Sequence, residues 1–194
     1  DTNNNFYTFD ELIKNIEKSQ TDKDGKTIIL YASNIDEQDS YIKAAESKGY
    51  KVLLLDSPIV PHLIQKLESK KENISFARVD SDSIDNLIKK EDNIISKLND
   101  KEKDKLKNYI EAVIPKEKYT IQLEALDSKE LPFIITQPEF MRRMKDMQQS
   151  GGNNMFGSMP EIHNVIINVN NDLVNTIFNS KSKVKRERLI KQSL

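Results

Sequence analysis

The residues with the least ordinary chemistry in this 194-residue sequence are its methionines. Met141, Met144, Met147, Met155 and Met159 all fall between positions 141 and 159, together with three of the five glycines. Phe140, Met144 and Met147 recur at i, i+4 and i+7, so a helix opened by Pro138 carries them on one face, with Met141 alongside. The stripe runs into Gly151-Gly152-Asn153-Asn154 and then Met155-Phe156, a loop setting in which large side chains are poorly buried. An apolar stripe ordinarily packs into a core. Here every other apolar position is filled without methionine, mainly by Ile, Leu and Val. The thioether is flexible and polarisable, and suits surfaces that must accept many shapes. Phe140, Met141, Met144, Met147, Met155 and Phe156 are therefore read as an exposed contact surface, which normally marks protein binding.

Other chemistries find little support. The sequence has no cysteine, so disulfides and thiolate catalysis are excluded, which fits a reducing, cytoplasmic setting. The two histidines, His62 and His163, lack a Cys or second His at metal-ligand spacing. The acidic clusters at Asp22–Asp24 and Asp80–Asp85 lack the glycine and terminal glutamate of a calcium loop. Neither G-x-G-x-x-G nor G-x-x-x-x-G-K-[ST] occurs. No catalytic residue and no metal site is expected. Thirty basic against 31 acidic residues leave a net charge of -1, without the cationic excess of a nucleic-acid binder. No apolar run reaches the roughly 18–20 residues needed to span a bilayer, so no membrane partner is expected either. Asp1-Thr2-Asn3 does not resemble a signal peptide, and the missing initiator Met and the stop at Leu194 suggest a piece of something longer.

The elements that must position the stripe are legible from pattern. Thr8 and Glu11 form a capping box ahead of a helix reaching about Gln20. Thr27–Ala32 and Val52–Leu55 are continuous apolar runs of strand length, as in sheets buried on both faces. Between them lies a helix near Asp39–Lys48 that Gly49 ends. Ser57-Pro58 starts another, with Ile59, Leu63, Ile64 and Leu67 on its inner face, and Ile74–Val79 is a third strand. Residues 1–81 thus predict a small three-layer α/β unit with a parallel sheet. Its strand ends, with Ser33-Asn34 and Asp56-Ser57, keep open an alternative reading as a small-ligand or nucleotide-binding α/β module.

Residues 82–98 are polar and charge-dense and predict a connector. Residues 99–194 predict an α+β domain with an antiparallel sheet and flanking helices. Asn99 and Glu102 cap a helix that ends before Pro115. Tyr119–Leu126 and Leu131–Thr136 read as antiparallel partners, Ile162–Val169 as a further strand, and Asn171–Phe178 as a short helix. The tail from Lys181 is a basic helix whose Val184, Leu189 and Ile190 face a partner helix, leaving its Lys and Arg residues in water.

The order of these pieces resembles the bacterial (HtpG) branch of the ninety-kilodalton heat-shock chaperones, from the end of the middle domain into the carboxy-terminal domain. Tyr7-Thr8-Phe9-Asp10-Glu11-Leu12 leading to Ile28–Ser33, and Gly49–Leu55, are similar to one family segment. Leu131–Thr136, Pro138–Met147 and Met159-Pro160-Glu161 with Asn168-Val169-Asn170 are similar to later ones. The resemblance covers nearly the whole chain. It implies a cytoplasmic, homodimeric chaperone that binds unfolded or partly folded clients. Its ATP and Mg site would lie upstream, so this fragment would carry no cofactor and no ATPase activity. It places Phe140, Met141, Met144 and Met147 on the client-binding helix and Met155 and Phe156 in the loop after it. Residues 183–194, with Val184, Leu189 and Ile190, match the start of the first dimerisation helix.

Overall fold

A computed structural model describes residues 1–90, 94–115, 117–138, 140–143 and 162–193. The chain divides into two compact units, Asp1–Glu91 with Gln137–Met159, and Asp92–Thr136 with Pro160–Leu194.

In the first unit, α1 (Phe9–Gln20), β1 (Thr27–Ala32), α2 (Ile35–Ser47), β2 (Val52–Leu54), α3 (Val60–Lys70), β3 (Ile74–Arg78) and the single turn α4 (Ile84–Leu87) follow in order. The three strands are parallel, in the order β2-β1-β3. β1 is central because all six of its side chains are apolar or small enough to be buried on both faces. Ile28, Leu30 and Ala32 face Ile42 and Ala45 of α2 and Ile84 of α4, whereas Ile29 and Tyr31 face Leu12 and Ile16 of α1 and Val60 and Ile64 of α3. That is the three-layer α/β arrangement expected from the sequence.

The caps follow from local chemistry. The Thr8 hydroxyl accepts from the Glu11 N–H while the Glu11 carboxylate accepts from the Thr8 N–H at 2.8 Å. The bond from the Thr8 N–H, and after it the one the Thr8 hydroxyl donates to the same carboxylate, hold the Glu11 carboxyl below its ordinary range. Gly49, at φ +76°, ends α2 in a left-handed turn, with its N–H on Glu46 and the Tyr50 N–H on Ala45. α3 begins later than Ser57-Pro58 suggests. Its cap is Ile59 and Pro61 sits in its first turn, so Val60 and Ile64 face inward while Ile59 and Leu63 are exposed. Residues 84–88, expected to be connector, instead bury Ile84 and Ile88 in this unit's core.

The second unit holds α5 (Asp100–Glu111), β4 (Tyr119–Glu124), β5 (Phe133–Thr136), β6 (His163–Asn168), α6 (Asp172–Asn179) and α7 (Lys183–Ser193). Its sheet is mixed where an antiparallel one was expected. β6 lies in the middle, parallel to β4 and antiparallel to β5, and β4 and β5 do not pair. Chain neighbours lose to apolar density. Val165, Ile166 and Ile167 form an unbroken run that can be covered on both faces, whereas β4 alternates and suits an edge. Leu106 and Ile110 of α5, Val174 and Ile177 of α6, and Ile190 of α7 complete the core around Val165 and Ile167.

Candidate interaction site and its supporting cleft

The segment after β5 does not stay with the second unit. The Gln137 N–H donates to the Asp80 carbonyl at 3.1 Å, and the Arg142 N–H donates to Pro138, opening the expected helical turn. Among its described residues, Phe140 is 71% exposed and Met141 is half-buried. Met144, Met147, Met155 and Phe156 lie outside the described residues.

What fixes this turn is a pair of arginines that sequence reasoning passed over. Arg142 is only 4% exposed. Its guanidinium lies 5.6 Å from the centre of the Tyr31 ring and donates to the Tyr31 hydroxyl. Arg143 reaches across to α3 and β3, with Nη1 3.0 Å from Glu68 Oε2 and Nη2 donating to the Phe76 carbonyl at 2.9 Å. Glu68 also accepts from the Phe76 N–H at 2.8 Å. Burial alone would raise the Glu68 carboxyl, but the bonds from Arg143 and Phe76 outweigh it and hold the group below its ordinary range. A signal was available in Tyr31. A phenol at the end of a wholly buried strand needs a partner for its hydroxyl, and a long cationic side chain elsewhere is the usual answer.

The same residues bound a cleft of about 570 Å³ at the carboxyl ends of the three parallel strands, where open α/β sheets ordinarily bind ligands. Leu55, Pro58 and Val60 give it an apolar wall. Arg78, Arg142 and Arg143 bring guanidiniums, and Ser33, Asp56 and Ser57 supply shorter polar groups. Arg78 is held by a bidentate pair with Asp80, through Nε and through Nη2 at 2.8 Å.

The remaining sequence candidates are scattered. Ile190 is fully buried in the second unit's own core and Leu189 packs partly against it, whereas Val184 is 77% exposed. The cations of α7 are largely exposed, but Arg186 lies 3.7 Å from the centre of the Tyr109 ring and donates to the Ser180 carbonyl. His62 is exposed on α3, and His163 is half-buried beside Tyr119. Among the described residues no group of three His, Cys, Asp or Glu side chains could hold a metal, and no helix is long and apolar enough to cross a membrane.

No protein-family model matches the chain. Among curated proteins it is similar to the chaperone protein HtpG of Porphyromonas gingivalis, 40% identical over 181 residues that make up 91% of this chain and 26% of the relative. The HtpG of Bacteroides thetaiotaomicron is 40% identical over 93% of the chain and 27% of its own length. That of Bacteroides fragilis is 41% identical over 94% and 28%. The chain therefore spans about a quarter of the length of these relatives.

Proposed function

We propose that this chain, a segment of the HtpG chaperone family, holds non-native proteins by the apolar face that begins at Phe140 and Met141. The observation that carries the reading is the exposure of Phe140 on a turn that Arg142 and Arg143 lock in place. A large apolar side chain gives up roughly 1.5–3 kcal/mol by staying in water. Holding it there on a fixed turn gives a partner that gain without the cost of ordering the turn. Met144, Met147, Met155 and Phe156 belong to the same proposed client site, and the flexibility of methionine thioethers would let one site fit many clients.

In the same reading, ATP and Mg act on residues outside this segment, which has no ATPase activity and no cofactor of its own. The whole protein is a cytoplasmic homodimer. Exposed Val184 on α7 supports a role in its assembly, with Leu189 and Ile190 setting the helix from behind. The near-balance of charge supports protein clients rather than nucleic acid.

The test compares the wild-type chain with a Phe140→Ser, Met144→Ser, Met147→Ser variant in suppressing aggregation of a heat-denatured model protein. The variant should lose most of the protection while keeping the wild-type melting temperature. Equal protection by both proteins would remove Phe140 and its neighbours from the client surface.

A further inference from the structure

The cleft at the carboxyl end of the parallel sheet has features that client binding at Phe140 does not use. Its volume of about 570 Å³ falls within the range of small-ligand sites, roughly 300–1,000 Å³. Among the described residues, three of its lining side chains are arginines and one, Asp56, is a carboxylate. The carboxylates that hold two of those arginines, Asp80 and Glu68, are not among the lining residues. Arg78 spends Nε and Nη2 on Asp80, which leaves its Nη1 group as a further donor. Leu55, Pro58 and Val60 line the same cleft, and the exposed Ser57 adds a hydroxyl near the strand end. A guanidinium fork and apolar side chains in one cleft suit a ligand that carries an anion on an apolar body.

We infer that this cleft binds a small organic anion, its carboxylate or phosphate held by Arg78 and its apolar part against Leu55, Pro58 and Val60. Arg142 and Arg143 line the cleft and also anchor the turn that presents Phe140. The inference does not rest on the client reading, because the cleft can be filled whether or not Phe140 touches a client.

The test is two-dimensional NMR titration of the isotope-labelled 194-residue chain with 4-phenylbutyrate, 1-naphthyl phosphate and the neutral 4-phenylbutan-1-ol. At least one anion should shift the amides of Tyr31, Ser33, Ser57 and Arg78, and should bind at least fivefold more tightly than the alcohol. A response to the carboxylate alone or the phosphate alone identifies which anion Arg78 prefers. Arg78→Gln should weaken binding at least fivefold. Asp56→Lys, a change at an exposed side chain that leaves the core untouched, should tighten it by about threefold, the scale of one exposed ion pair. Silence from both anions at millimolar concentration, an alcohol that binds equally well, or an unchanged affinity in Asp56→Lys would each overturn the inference. Aggregation assays with the Phe140 variant report separately on client binding, so failure of one idea is distinguishable from failure of the other.

Discussion

The two sheets share one construction principle and differ at their ends. Each is three-stranded, and each places its unbroken apolar run in the middle, β1 in one unit and β6 in the other. Beyond the end of β6 the backbone is sealed by amides. The Asn168 Oδ1 accepts from the Leu126 and Asn170 N–H groups, and its Nδ2 donates to the Asp127 carbonyl. The Asn170 Oδ1 accepts from the Lys97 N–H at 2.8 Å, and its Nδ2 donates to the carbonyls of Ile95 and Leu126. Beyond the end of β1 a single amide plays that part, the Gln38 Oε1 accepting from the Ser33 and Asn34 N–H groups, and among the described residues arginines, short polar side chains and apolar residues line a cleft at the ends of β1, β2 and β3. Neutral amides that satisfy backbone close a structure. A cleft lined by charged side chains leaves somewhere for a partner.

That contrast can be broken most sharply at Asn168. It is fully buried, and Asn168→Leu strands the Leu126 and Asn170 N–H groups, while the Asp127 carbonyl keeps the Glu130 N–H. Each buried polar group left unpaired costs about 1–3 kcal/mol, so the second unit should lose on the order of 3 kcal/mol after partial relief by water. Native-state hydrogen exchange at Ile166 reads the loss, and Ile29 in the other unit should change far less. At the open end, Ser57→Ala should stay within about 0.5 kcal/mol, as exposed positions do. A similar cost at both ends would refute the division into sealed and open.

The second contrast is in pH. The side-chain bonds of Asn168 and Asn170 at the end of β6 are made by neutral amides, whereas Arg143 holds its turn through ionised Glu68. The folded-state Glu68 carboxyl lies below its ordinary value. Its contribution is therefore complete above the unfolded-state value and is lost as pH falls through the folded one. Glu68→Gln should lower the stability of the first unit by about 1 kcal/mol at neutral pH, the scale of a part-buried charge-assisted bond. The gap between variant and wild type should shrink as the solution is acidified. Urea midpoints at several pH values measure it, and a constant gap would show that the charge on Glu68 contributes nothing.

Much of this architecture was legible because local chemistry decided it. Thr8 with Glu11 and Asn99 with Glu102 capped the helices they were expected to cap, and the apolar runs at Thr27–Ala32 and Val52–Leu54 became parallel strands. What failed was pairing at a distance. β4 and β5 are adjacent in the sequence and look like partners, but β6, with four successive buried residues, lies between them. The site was half legible for the same reason. Periodicity places Phe140 on one face of a turn, but nothing local says that Arg142 reaches Tyr31, 111 positions away.

The smallest expected effect concerns α7, where two of the three predicted contact residues, Val184 and Ile190, prove to have opposite environments. Ile190 is fully buried against its own unit, so changing it tests folding before it tests assembly. Val184 is exposed and touches none of the core, so Val184→Ser should alter stability by less than about 0.5 kcal/mol. Any effect it has on self-association is then free of a folding artefact. Sedimentation velocity over a concentration series should show weaker association for Val184→Ser than for wild type if α7 meets a second copy. Identical concentration dependence for the two proteins would take Val184 out of the assembly surface and leave α7 as a core helix with a wet face.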